Sequence, residues 1–371
     1  VGEAESAVED VEVTQFEALY SGKRVLLTGH TGFKGSWLAA WLTKLGAEVT
    51  GVALDPRGSP NHWELLQLAI ADHRTDIRDS AAILEIVAHS KPEIVFHLAA
   101  QPLVRASYRD PVDTWASNVQ GVVHVLEACR KIGGVRAIVV VTTDKVYENH
   151  EWQRGYREDD ALGGHDPYSA SKAAAELVVQ SYRRSFFSAP GSPLLASARA
   201  GNVLGGGDWS EDRLIPDLIR ATQGGTSMVI RSPSATRPWQ HVLESLSGYL
   251  LLGQRLLAGD QACARAWNFG PGAADNRSVA DMLALMHPHW PQLRWEITPK
   301  PQPHEAGLLY LDSTQANTAL GWRPVWNLER CLEATAQWYR ALQDEQRLLT
   351  CEQLGQFVAD ARTAGCLWAG R

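Results

Sequence analysis

Residues 24–37 read RVLLTGHTGFKGSW. A short apolar run, Val25–Leu27, meets three glycines spaced by three, Gly29, Gly32 and Gly35, and then a helix-period set, Trp37, Leu38, Trp41 and Leu42. Strand, glycine turn and helix in that order open a parallel α/β unit. The first glycine permits the tight turn, the second lets backbone N–H groups approach a pyrophosphate, and the third lets helix and strand pack closely. Thr31 and Phe33 lie in the same loop and are assigned to the dinucleotide with it.

Working outward, the alternation continues. EVTGVALD (48–55) reads as a strand, AAILEIVAHSKP (81–92) as a helix stopped before proline, and EIVFHLAAQ (93–101) as a third buried strand. PVDTWASNVQGVVHVLEACRKIG (111–133) predicts one long helix opened by Pro111, and AIVVVTTDKVY (137–147) a fourth strand. A helix carrying Tyr168 and Lys172 follows, then the strand LLASARAGNVLG (194–205). Such alternation predicts a Rossmann-like, doubly wound parallel sheet. After Gly205 the alternation loosens. The division expected is an acidic, disordered extension over 1–13, a dinucleotide domain over 14–204, and a smaller mixed substrate-binding part over 205–371. That last part is expected to be discontinuous, with some segments returning to the first domain.

Ligands of such sheets sit beyond the carboxyl ends of the strands. Thr28, Asp55, Ala99, Thr143 and Asn202 all fall there. Asp55 comes 26 residues after Gly29 (55 − 29), near the offset of a carboxylate that binds the adenosine ribose. A carboxylate there favours NAD over NADP; Arg57, two residues on, leaves NADP open. Asp76 and Ile77 are assigned to the adenine, and Leu98, Ala99 and Ala100 to the cofactor at the third strand end. Tyr168 and Lys172 stand at i and i+4, on one helix face. A lysine ammonium beside a phenol favours the phenolate, so this pair is expected to move a proton from a hydroxyl while a hydride leaves the same carbon.

Composition narrows the classes. The formal net charge of −7 over 371 residues gives no support to nucleic-acid binding. No apolar run approaches the roughly 20 residues that span a bilayer. The first residues are acidic and lack the pattern of a signal peptide, and the five cysteines are scattered without C-x-x-C spacing. No metal, no membrane and a cytoplasmic setting are therefore expected.

The words GKRVLLTGHTGFKGSWL (22–38), HLAAQPLVRASY (97–108), TTDKVYEN (142–149), GYREDDALGGHDPYSASKAAAELV (155–178), RAGNVLGGGDW (199–209) and RPWQHVLESLSGYL (237–250) resemble the extended short-chain dehydrogenase/reductase family. Within it they are similar to the NAD-dependent nucleotide-sugar 4,6-dehydratases acting on CDP-sugars in deoxysugar biosynthesis. The similarity runs from about residue 16 to about residue 350. It implies that Tyr168, assisted by Lys172 and Thr143, removes the C4 hydroxyl proton as NAD takes the C4 hydride. The 4-ketone then acidifies C5, water leaves across C5 and C6, and the hydride returns to C6. It also implies that Asp144 and Lys145 form the acid–base pair for elimination, where related dTDP-glucose enzymes carry Asp-Glu. Asp144 is the candidate acid and Lys145 the candidate base, with the division between them open.

For the substrate, Arg213 and Arg237 are assigned to the diphosphate, Asn202 to a phosphate, and Gln101, His241, His304 and Glu305 to further contacts. The resemblance implies self-association through the helices near 111–132 and 168–187, as a homodimer or a tetramer built from it. A 4-epimerase would need Tyr168 and Lys172 without Asp144-Lys145, and a non-catalytic NAD sensor would need neither pair.

Overall fold

The computed structural model describes residues 15–230, 232–297 and 308–370. The acidic extension over 1–13, His304 and Glu305 lie outside the described residues. A seven-stranded sheet organises the chain. In chain order its first elements are β1 (Arg24–Thr28), α1 (Phe33–Lys44), β2 (Glu48–Ala53), β3 (Ala71–Arg74), α2 (Ser80–Ser90), β4 (Ile94–His97) and α3 (Val104–Arg109). A helical run follows: α4 (Pro111–Trp115), a π-type turn over Ala116–Gln120, and α5 (Gly121–Ile132). Then come β5 (Ala137–Val141), α6 (Pro167–Ser185), β6 (Leu194–Ala200), α7 (Leu214–Gln223), α8 (Val242–Leu257) and β7 (Ala266–Phe269). The strand order is β7-β6-β5-β4-β1-β2-β3, and every pairing is parallel.

The pleat explains why both faces are covered. Val25 and Leu27 of β1, with Ile94 and Phe96 of β4, join a core shared with α1 and α8. Leu26 and Val95, the alternate residues, join a second core with Ile83 and Val87 of α2, Val122 and Val125 of α5, and Val179 of α6. Strands buried on both sides must read as continuous apolar runs, as these do. Helix α8 is buried on nearly all sides, Arg255 excepted, which accounts for its unbroken apolar stretch Tyr249–Leu252.

The structure departs from the expected elements in two places. Strand β3 was not foreseen, because Ala71–Arg74 (ADHR) is a largely exposed, polar edge strand without an apolar run. The long helix over 111–132 is interrupted by its π-type turn, where buried Asn118 reaches out of the helix. Asn118 Oδ1 accepts from Gln101 N at 2.8 Å, and its Nδ2 donates to Gln101 O at 3.1 Å and to Ser171 Oγ at 2.9 Å. Such bulges often mark functional regions. Strand β7, from beyond residue 205, pairs with β6 and extends the sheet.

Candidate active site

A cleft of about 1370 Å³ opens along the carboxyl ends of the strands. It is lined by Gly29–Gly35 without His30, by Asp55, Arg57, Asp76, Ile77 and Leu98–Gln101, and by Thr143–Lys145, Tyr168, Lys172, Asn202, Arg213 and Arg237. The connections after β1 to β6, with the segment between α7 and α8 that carries Arg237, thus line one edge of the sheet.

The glycine turn has the shape of an anion cradle. Gly29 sits at φ +79°, and a Cβ there would lie 2.7 Å from Ala99 N. A Cβ on Gly35 would lie 2.0 Å from Gly29 O, so helix and turn touch through bare backbone. Gly32 is the N-cap of α1, and no side chain caps that end. Its own hypothetical Cβ meets only Gly29 O, at 3.4 Å, so the backbone there faces open cleft. An uncapped 12-residue helix whose first-turn amides face a cleft suits a pyrophosphate. Farther out, Asp55 stands with its side chain 86 % exposed, 3.6 Å from Arg74 Nη1. The carboxylate is therefore available to ribose hydroxyls. Asp76 is held by Arg78, 2.6 Å from Nη2, with Ile77 buried against Gly121.

The opposite end of the cleft is closed and charged. Thr143 follows β5 and caps a 3-10 turn over Asp144–Val146; its Oγ1 donates to Asp144 Oδ1 at 2.9 Å and accepts from Lys145 N at 3.4 Å. Asp144 Oδ2 is buried and, among the described residues, has no hydrogen-bond partner. Burial pushes its carboxyl above the usual range, against the pull of Lys145, Thr143, Arg237 and Lys34. Lys145 is half-buried beside it.

Tyr168 enters from the first turn of α6, which Asp166 caps by accepting from Ser169 N at 3.0 Å, with Pro167 at the first helical position. The backbone N–H of Tyr168 donates to Ser107 Oγ at 3.1 Å, tying that turn to α3. Burial pushes its phenol up to about 12, opposed by hydrogen bonding with Thr143 and by the charge of Arg213. The expectation that Lys172 lowers this phenol is not met in the free enzyme. Lys172 Nζ donates to Val141 O at 3.2 Å, and burial brings the amine down to about 8, against the pull of Glu176.

One anchor escaped the sequence reading. Glu176, one turn beyond Lys172, is buried and accepts from Thr142 Oγ1 and Ser197 Oγ, each at 2.6 Å. It also pairs with buried Arg199 of β6 at 3.0 Å. Burial pushes Glu176 up, yet Arg199 and these hydroxyls hold it below the usual range. The pair locks α6 onto β5 and β6, fixing the bearing of Tyr168 and Lys172. The signal available was a glutamate at i+4 from the lysine, together with an arginine inside an otherwise apolar strand.

Two substrate assignments change. His241 does not reach the cleft. It is the buried N-cap of α8, wedged edge-on between Trp37 and Trp326, and desolvation brings its imidazole down to about 3. Gln101 touches the cleft but its amide serves its own loop. Nε2 donates to Thr114 Oγ1 at 2.8 Å and Leu103 O at 3.1 Å, while Oε1 accepts from Leu103 N at 2.6 Å. Arg213, a third exposed and 3.9 Å from Asp208, and buried Arg237, bonded to Thr236 O at 2.8 Å, do face the cleft with Asn202. Of the tryptophans near the motifs, Trp209 and Trp239 line the cleft, whereas Trp37 is core, its Nε1 donating to Gly206 O at 2.8 Å.

Fold and cleft together define an α/β enzyme that binds a dinucleotide beside a tyrosine–lysine pair. The pattern of the NAD dependent epimerase/dehydratase family matches residues 25–270. The chain belongs to that family. It is 46 % identical over 341 residues to the CDP-glucose 4,6-dehydratase of Salmonella typhimurium, covering 90 % of this chain and 95 % of that one. To the dTDP-glucose 4,6-dehydratase of the same organism it is 25 % identical, covering 86 % and 93 %. Among solved structures, the fold is shared with a UDP-glucose 4-epimerase of Thermotoga maritima (TM-score 0.76, 23 % identity, 86 % and 99 % covered). It is also shared with a dTDP-glucose 4,6-dehydratase of Streptomyces venezuelae (TM-score 0.72, 22 % identity, 85 % and 96 % covered).

Proposed function

We propose that the chain converts CDP-glucose to CDP-4-keto-6-deoxyglucose and water. The observation that carries this reading is the turn after β5. There a buried carboxyl with one unpartnered oxygen stands beside a lysine, on the same cleft as Tyr168 and Lys172. A 4-epimerase has no use for such a pair, whereas water elimination needs an acid and a base at adjacent carbons.

Bound NAD supplies the hydride acceptor at C4 and the donor at C6. Its pyrophosphate would rest on the Gly29–Gly35 turn and its ribose on Asp55. Tyr168, oriented by Thr143, takes the C4 hydroxyl proton. Lys172, on the same cleft, would hold the cofactor's ribose beside the phenol, and Glu176 holds the helix in place. The C4 ketone makes the C5 proton acidic. Lys145 takes that proton while Asp144, its carboxyl pushed up by burial, gives its own to the departing C6 hydroxyl. Arg213, Arg237 and Asn202 hold the diphosphate, since guanidinium forks match phosphate oxygens. Gln101 shapes the loop over 101–104 rather than gripping substrate. On this reading residues up to about 204 bind the cofactor, and those beyond mainly bind the nucleotide sugar.

We also propose a homodimer. Val112, Trp115 and Leu177 are exposed apolar residues on the α4 and α6 surfaces, 78 %, 42 % and 55 % exposed. Two-fold pairing of these helices would cover them. Among the described residues no helix is long and apolar enough to cross a membrane, and all five cysteines are free, so we place the enzyme in the reducing cytoplasm.

The test is parallel incubation with CDP-, dTDP-, UDP- and GDP-sugars. A product giving the strong-base chromophore of a 4-keto-6-deoxysugar, from the CDP-sugar first and without net NADH, supports the reading. Stoichiometric NADH, or an epimerised sugar, removes it.

A further inference from the structure

Lys34 has no part in the chemistry above. It is the second residue of α1, a place where a lysine normally carries its amine into water. Here its Nζ turns into the cleft and donates to Tyr249 Oη at 3.2 Å, 5.6 Å from the centroid of that ring. Tyr249 belongs to α8 and is fully buried, so the amine is fixed to a partner that cannot follow it to the surface. Charged groups face it from three other connections: Asp144 after β5, Lys172 on α6 and Arg213 before α7. Burial, then repulsion from Arg213 and Lys172, brings the amine down to about 7, while Asp144 pulls the other way. Asp144 is pulled in turn by Lys145, Arg237 and Lys34, in that order, and among the described residues its Oδ2 has no hydrogen-bond partner.

We infer that Lys34 is a positioning residue for Asp144, its amine adding, beside Lys145, a positive charge that favours the carboxylate left when Asp144 has protonated the departing hydroxyl. The inference rests on the dehydratase reading and deepens it. The O–H bond of Asp144 breaks, its proton goes to the C6 oxygen, and the C6–O bond breaks as water leaves. A negative charge then stays on Asp144. Lys145 gains the C5 proton in the same step, so the pair ends as ammonium and carboxylate with the net charge of the closed site unchanged, and an ammonium on Lys34 adds to the positive field that Lys145 and Arg237 set around Asp144. Held on Tyr249, the amine lines the same cleft as Asp144 and does not have to be gathered from solvent.

Lys34→Met and Lys34→Arg test this by two readouts. Without substrate, the Asp144 carboxyl is titrated by carbon-13 NMR, its signal assigned by its loss in Asp144→Asn. The midpoint should rise by about one pH unit or more in Lys34→Met, as expected on losing a close opposite charge, and return in Lys34→Arg. In single turnover with CDP-glucose, Lys34→Met should slow elimination by about tenfold or more while C4 oxidation changes little, so that bound NADH accumulates. Lys34→Gln replaces the methionine variant if that one does not fold. An unmoved Asp144 midpoint, or equal slowing of both steps with an unchanged pH profile, overturns the inference. If the wild-type enzyme leaves CDP-glucose untouched, the dehydratase reading fails, and the titration still decides the Lys34–Asp144 coupling.

Discussion

The two ends of the cleft use charge in opposite ways. At the ribose end Asp55 is 86 % exposed. At the reaction end Thr143, Asp144, Tyr168 and Lys172 are each less than a tenth exposed. Water screens the first group, so on the proposed reading Asp55 would act by accepting hydrogen bonds and by repelling a phosphate at short range. At the closed end desolvation dominates every protonation equilibrium: it raises Asp144 and Tyr168 and lowers Lys172. On the proposed reading the ribose is met by an exposed charge, and the chemistry is carried by buried groups whose protonation burial has shifted. Substitutions at the closed end should therefore change rates and pH profiles, and those at the open end mainly affinities.

The largest effect is expected at Tyr168. Tyr168→Phe removes the group that takes the C4 proton and should lower turnover about 10²–10⁴-fold, with cofactor affinity and circular dichroism retained. Near-normal turnover in stopped-flow assays would break the assignment. Next come Asp144→Asn and Lys145→Ala, each expected to slow elimination about 10²-fold with a smaller effect on the first oxidation. Rapid-quench analysis should then find CDP-4-ketoglucose; equal loss of every step in a folded protein would place both residues outside the acid–base chemistry.

A stability effect should follow at Lys172. Its folded value near 8 lies below the ordinary 10.5. Above 10.5 the amine is neutral in both states, so burial carries no charge penalty. As pH falls toward 8 the unfolded chain gains a proton that the folded one resists, and native stability drops; below 8 the loss is complete and constant. Lys172→Met should thus be inactive yet melt higher than wild type between pH 6 and 8, the gain vanishing toward pH 10.5 in thermal scans. A gain independent of pH would contradict the burial account. The smallest effect is expected at the open end: Asp55→Ala should weaken NAD by about tenfold and admit NADP, with saturated turnover unchanged. Isothermal titration and a kcat/KM split would sharpen the contrast, and a fall in kcat would blur it.

Legibility followed the same divide between local and distant causes. The Gly29–Gly35 turn, the Tyr168–Lys172 pair and the Thr143–Lys145 turn are each set by neighbours in sequence, and their order fixed the sheet around them. What escaped depends on remote partners. Strand β3 is polar because it lies at the edge. The π-type turn exists because Asn118 reaches Gln101 and Ser171. Glu176 draws its meaning from Arg199 and Lys34 from Tyr249, 215 positions away. His241 reads as a ligand because it matches a position near the nucleotide end in the family it resembles, while Trp37 and Trp326 that enclose it come from elsewhere in the chain. The phenol of Tyr168 read as depressed because spacing reports the lysine and not the burial.

The central claim is that the hydrogen removed from C4 is returned within the same molecule. CDP-glucose carrying deuterium at C4 tests it directly, with the product analysed by proton and deuterium NMR. The account predicts one deuterium in the C6 methyl group, with a solvent proton at C5 and no net NADH. Deuterium found in free NADH, or at C4 of an epimerised sugar, would contradict it.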